Sequence, residues 1–240
     1  MYGSKEKIHP VPNYYGRISQ MNTQFSSGLE YRSLAENKLS LCGIGSCNDE
    51  NIVVPAFVDG MEVTSVDSGA FAHNDMIKSV VLPKSVDYIG AEAFAWCRHL
   101  ESASLSGVLH VSTRAFIGCD SLSSIELCDK LLMIEKKAFA YCLNLTAVTL
   151  PESLYSLGAS AFEGCRGLRS VILPDSLKSI ESGTFYACCE LESINIPGKL
   201  EYIDEFAFAY CISLDKITLP ARTVINQFAF YEADGIRMVS

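Results

Sequence analysis

The chain has 240 residues, 49% of them hydrophobic and 20% charged, with a formal net charge of −9. That composition describes a folded protein with a sizeable core rather than a disordered chain. The negative balance argues against general nucleic-acid binding, which needs clustered Lys and Arg on phosphates, and no apolar run approaches the ~18–20 residues of a membrane span.

The opening stretch, MYGSKEKIHPVPNYYGRISQ, has charges but neither the apolar core nor the small-residue cleavage site of a secretion signal. Residues 1–25, with Lys5, Lys7, His9 and Arg17 between prolines and tyrosines, are expected to form a flexible tail or, less simply, a docking segment. From residue 67 onward a repeat organises the chain. A phenylalanine returns at Phe71, Phe94, Phe116, Phe139, Phe162, Phe185, Phe208 and Phe230, at spacings of 22 or 23.

Other rows keep step with that anchor. Three places on stand Cys97, Cys119, Cys142, Cys165, Cys188 and Cys211, with Asn74 and Ala233 at the two ends. Six on is Leu or Ile; nine on runs from Val80 through Ala103, Ile125, Val148, Val171, Ile194 and Ile217 to Val239; eleven on is again Leu or Ile. The alternation at nine and eleven predicts a short strand with those two side chains inward. Proline follows in most units, where its missing N–H costs least, then a second apolar row from Ile89 to Ile225. The corner around "AFxxC" is expected to be one tight helical or 3₁₀ turn. A unit this short cannot bury its apolar face alone, so the units must stack. About eight coils spaced by ~4.8 Å give a rod on the order of 40 Å long.

The phrase "AFxxCxxLxxVxLPxxLxxI" resembles the BspA-like leucine-rich repeat, over residues 47–240. The resemblance implies a leucine-rich-repeat solenoid of right-handed stacked coils, built from short parallel β-strands and 3₁₀ or tight turns with little α-helix. It implies that residues 26–66 are an N-terminal β cap and entry half-repeat, forming a single domain with a 67–240 solenoid. It also implies adhesion or protein binding by a bacterial, extracellular or surface-attached protein, and brings no catalytic residues with it. Ala103, Ser106 and Cys128 depart from the pattern, and the array reaches "GIRMVS" with no recognisable C-terminal cap. That end is expected to be a place where the chain associates, or where a longer protein was cut.

The repeated cysteines invite chemistry and then argue against it. Thiols at one position of successive coils point the same way, whereas a disulfide needs converging Cβ vectors. Zinc favours clustered pairs of thiolates, and a catalytic thiol needs a base or positive charge beside it. The six are expected to be inert core. Cys42 and Cys47 flank "GIGS", where a disulfide is conceivable; Cys128 and Cys189 lie off the ladder.

No phosphate-binding, zinc-protease or serine-hydrolase signature is present, so a non-enzyme without cofactor or metal is expected. Function on a solenoid lives on rows of outward side chains. Two places after the anchor stand His73, Trp96, Tyr141 and Tyr210; near the second strand stand Tyr88, His110, Met133, Tyr155 and Tyr202. Either row is a candidate surface for a protein or glycan ligand, or simply covers the solenoid edge by packing sideways on the next coil. The serine-rich row Ser79, Ser102, Ser124, Ala147, Ser170, Ser193 and Lys216 reads as a solvated sheet surface. The leading expectation is a non-catalytic binding module, monomeric or weakly self-associating end to end; the alternative is a structural unit that self-associates through its C-terminal end.

Overall fold

A computed structural model describes residues 25–233 and the strand Arg237–Val239. The expected N-terminal tail, Phe25 apart, lies outside the described residues. Each coil has three sides. One carries a strand of two to four residues such as Ser79–Val81, Ser102–Leu105 and Ser170–Ile172. The second carries a two-residue strand such as Tyr88–Ile89, His110–Val111 and Tyr202–Ile203. The third is the phenylalanine corner. Strands of successive coils pair in parallel and in register, Ser79 with Ser102 and Ser102 with Ser124 on the first side, Ile89 with Val111 and Val111 with Ile134 on the second.

Ahead of the repeats, Glu30–Ser33 pairs antiparallel with Lys38–Gly43, and Phe57–Val58 antiparallel with Met61–Val66. Lys38–Gly43 and Met61–Val66 are parallel, and the latter pairs with Tyr88–Ile89, so one sheet runs from Glu30 to Leu157. At the other end Ile217 pairs with Met238 rather than Val239. The regular nine-place count therefore slips by one residue in the last coil.

The core is the set of rows expected from the spacing. Phe71, Phe94, Phe116, Phe139, Phe162, Phe185 and Phe208 are buried and stack ring on ring, with centroids 5.0 to 5.9 Å apart. All six ladder cysteines are free thiols and fully buried. Each Sγ donates to the phenylalanine carbonyl of the preceding coil at 3.0 to 3.3 Å: Cys97 to Phe71, Cys119 to Phe94, Cys142 to Phe116, and so on to Cys211 and Phe185. The thiol thus satisfies a second lone pair on a carbonyl that already accepts the N–H three residues on in its own coil, Asn74 at Phe71 and a ladder cysteine at the others, as Phe94 accepts from Cys97. Burial pushes the thiols up, Cys97 and Cys211 to about 12 and Cys119, Cys142 and Cys188 well above the ordinary range.

The corner is not a 3₁₀ turn. Within one coil, Ala93, Ala95 and Cys97 donate to the carbonyls three residues back, while Glu92, Phe94 and Trp96 donate to carbonyls of the next coil. That alternation requires a positive φ two places before and two places after the anchor, as at Glu92 (59°) and Trp96 (60°). Successive tight turns replace the expected single helical turn; in the first and third the third residue is left-handed, Glu92 and Trp96 in this coil, while the anchor Phe94 between them is not.

The departures from the repeat fit the same scheme. Cys128 stands at the proline position, and its carbonyl accepts Leu131 N–H as Pro151 accepts Leu154. The 22-residue coil containing Ser106 closes one residue early, with Val108 N–H on Leu105. Its Gly107 lies so close to the coil before it that a Cβ would fall 2.3 Å from the Lys84 carbonyl oxygen.

Candidate binding face

The corner carries most of the outward aromatic side chains. Two places after each anchor, the backbone forms a continuous ladder along the solenoid. His73, Trp96, Gly118, Tyr141, Gly164, Ala187 and Tyr210 each donate an N–H to the next coil, at 2.7 to 2.9 Å. Every one of them is left-handed, with φ between 56° and 69°. Glycine adopts that conformation without steric penalty, whereas an L-residue is strained there. His73, Trp96, Tyr141 and Tyr210 occupy these positions nonetheless.

From Trp96 to Gly164 large and small side chains alternate along this ladder. The Trp96 ring lies over Gly118 and the Tyr141 ring over Gly164, where an added Cβ would meet the aromatic carbons at 2.2 and 2.6 Å. Trp96 also packs on a small apolar strip outside the main core, with Ala95, Ile117 and Ala140 buried and Ala72 at its margin. The Trp96 and Tyr141 rings thus rest sideways on the next coil, as the edge-covering reading expects, while keeping an outer surface. Tyr141 is 37% exposed. Its hydroxyl donates to Glu163 at 2.5 Å, and this bond, then burial and the Glu163 charge, push the phenol up to about 12. Burial would raise the Glu163 carboxyl, but hydrogen bonds from Tyr141, Ser160 and Lys137 outweigh it and hold it low.

Tyr210 belongs to a larger assembly. With Tyr186, Phe206, Phe228 and Tyr231 it lines an open groove of about 350 Å³. Tyr186 meets Tyr210 edge to face at 5.4 Å, Tyr210 meets Tyr231 at 5.8 Å, and Phe206 stacks on Phe228 at 5.8 Å. Partial desolvation and the neighbouring Tyr186, Tyr231 and Glu232 raise the Tyr210 phenol. Four of these five rings escaped the sequence reading, which tracked one column at a time. The signal was the doubled "FAF" at 206–208 and 228–230, which sets a second phenylalanine two places before the anchor in consecutive coils.

The second candidate row is less continuous. Tyr88, His110 and Met133 are in register, but Ser156 stands opposite Met133, so Tyr155 lies one place off the row. Tyr202 pairs with Ser179 in a separate sheet, three coils beyond Met133. The members it does hold are occupied with one another. Tyr88 and His110 meet edge to face at 5.2 Å, Ser112 Oγ donates to the Tyr88 hydroxyl at 2.8 Å, and His110 Nε2 lies 2.7 Å from Glu135 Oε1. Burial would raise the Glu135 carboxyl, but the Thr113 and His110 hydrogen bonds prevail and lower it.

Cys42 and Cys47 are both free thiols. Among the described residues no group of three or more His, Cys, Asp or Glu side chains is placed to hold a metal ion. Nor is any described helix long and apolar enough to cross a membrane.

Comparison with known proteins follows the same lines. The family model for the BspA type leucine rich repeat region matches in six copies, over residues 46–146 and 132–240. Among solved structures, the chain is similar to the leucine rich repeat protein of T. pallidum, with 30% identity and a TM-score of 0.73 over 78% of this chain and 88% of that one. It is also similar in fold to a leucine-rich repeat protein from Bacteroides ovatus, with 22% identity and a TM-score of 0.69 over 88% of this chain and 68% of that one. A comparison with curated protein sequences finds no match.

Proposed function

The chain belongs to the BspA-type leucine-rich repeat family, and from that premise we propose that it is a non-catalytic protein-binding module whose contact surface is the phenylalanine corner. One observation carries the reading. Trp96, Tyr141 and Tyr210 hold large rings at left-handed positions, while Gly118 and Gly164 fill the same register without strain. The fold imposes this φ in every coil, on Ala187 as on the rings; what marks the three positions is that a large ring stands where glycine would be strain-free. The rings are amphipathic, pre-positioned by the next coil, and lose little rotamer freedom on contact, which suits them to anchor a partner.

The groove lining favours protein over glycan as the ligand. It offers three phenolic hydroxyls and no amide or carboxylate, whereas a sugar brings several hydroxyls that each need a partner when desolvated. Adhesion is the biological role that this reading suggests.

The test is affinity capture from native extract by the wild-type chain and two variants. Trp96→Gly/Tyr141→Gly/Tyr210→Gly removes the rings while adopting the residue already used at Gly118 and Gly164. Ser124→Lys/Ala147→Lys alters the exposed strand side. Partners lost only with the first variant support the corner; partners lost only with the second place binding on the strand side instead.

A further inference from the structure

The five-ring groove has a local charge environment that narrows what it would accept. Residues 181–233 carry eight carboxylates against three cations, Lys199, Lys216 and Arg222; Glu190 and Glu201 pair with Arg169 and Lys178 of the coil before, and the remaining six still outnumber the cations. Glu232 immediately follows Tyr231 and acts electrostatically on Tyr210, and the other groups felt there are the Tyr186 and Tyr231 phenols. Two cations act along the corner, Arg166 on Tyr141 and Lys137 on Glu163. Aromatic faces attract cations through the ring quadrupole, and a nearby carboxylate adds to that attraction.

We propose that the groove formed by Tyr186, Phe206, Tyr210, Phe228 and Tyr231 takes an arginine side chain from a basic segment of a partner protein. This rests on the reading of the corner as a protein-binding face and adds the partner's chemistry to it. Arginine fits better than lysine. Its guanidinium is planar, weakly hydrated and stacks on aromatic faces, whereas a lysine ammonium is a compact, strongly hydrated charge. An apolar groove with few acceptors leaves an ammonium short of hydrogen bonds, but a guanidinium can lie on the rings with its N–H edge toward Glu232 and solvent.

The experiment measures binding of hexa-arginine, hexa-lysine and hexa-glutamine peptides to the wild-type chain, to Tyr210→Gly and to Tyr231→Leu. Thermal midpoints confirm that each variant is folded. The expected result is binding in the order arginine, lysine, glutamine, weakened about five- to thirtyfold in each variant, with the ring resonances of Tyr186, Tyr210 and Tyr231 shifting in the wild type on arginine addition. Equal binding by wild type and variants would show diffuse attraction to an acidic protein and overturn the proposal. Unmoved ring resonances would overturn it without recourse to any variant. Self-association that Tyr210→Gly abolishes, with no peptide binding, would assign the groove to a second copy of the chain. Absence of peptide binding alongside protein capture that still depends on Trp96 and Tyr141 would overturn the arginine assignment and leave the protein-binding reading standing.

Discussion

The indole of Trp96 occupies the space above Gly118 in the next coil, so that a Cβ at Gly118 would fall 2.2 Å from Trp96 Cε3. The absence of a side chain at one left-handed position is what allows a ring at the one before it. Tyr141 and Gly164 repeat the relationship two coils later.

Gly118→Ala should therefore destabilise the protein by about 1–3 kcal/mol, from φ strain and overpacking together. In a Trp96→Gly background the same substitution should lose only its φ component. A double-mutant cycle by chemical denaturation measures the difference. Additive effects would mean that the ring moves aside at no cost.

Thiol reactivity should divide the ten cysteines sharply. In the native state at pH 8 a thiol reagent should reach Cys42, Cys128 and Cys189, which are partly exposed. Cys47, which is buried, and the six ladder cysteines, which are buried and hydrogen-bonded to carbonyls, should react only on unfolding. Peptide mapping after brief labelling reads this directly.

The same thiols should make the fold alkali-sensitive. The pKa values of Cys97, Cys119, Cys142, Cys188 and Cys211 are raised on folding, to about 12 at Cys97 and Cys211, so the unfolded chain releases protons first as pH rises above ~9. Stability is fully present below that pH and is lost as pH climbs toward 12. The carboxylates act in the opposite direction. Asp67, held low chiefly by its hydrogen bond from Arg32, together with Glu135 and Glu163, contributes stability above the unfolded carboxylate range that fades as pH falls through the folded values. Denaturation midpoints across pH 2 to 12 should fall at both ends, and replacing Cys97 and Cys211 by alanine should flatten the alkaline limb alone.

Phe139→Ala should cost ~3–5 kcal/mol, since the ring is buried between Phe116 and Phe162 at 5.2 and 5.6 Å and its loss leaves a cavity. Phe230 stacks on Phe208 at 5.3 Å but is only partly buried, and its alanine variant should cost much less. Equal losses would contradict a linear array of coils.

The phenylalanine and cysteine rows were legible in the sequence because each contributes one side chain per coil in a fixed direction, and burial demands the same chemistry each time. Outward geometry was harder to read. The helical or 3₁₀ turn expected at the corner ignored the left-handed backbone, although Gly118 and Gly164 alternating with Trp96 and Tyr141 marked the position where φ turns positive. Val239 was misplaced because a single-residue slip in register leaves no trace in a spacing count, whereas Tyr155 was a miscount: it stands two places before Leu157, where Tyr88, His110 and Met133 stand one place before their inward neighbours. The Tyr186–Tyr231 groove was missed because its rings come from three different columns, and only stacking brings those together. The carbonyl that each thiol finds lies 25 or 26 residues back, a relationship set by coil geometry and invisible to pattern.

The claim that the corner is the binding face is tested most directly by hydroxyl-radical footprinting of the chain alone and with a captured protein partner, read by mass spectrometry at each aromatic residue. The account predicts protection of Tyr141, Tyr186, Tyr210 and Tyr231, with Tyr155, 58% exposed on the second strand side, oxidised equally in both states. Protection of Tyr155 and Tyr88 with the corner rings unchanged would contradict it and move the binding face to the other row.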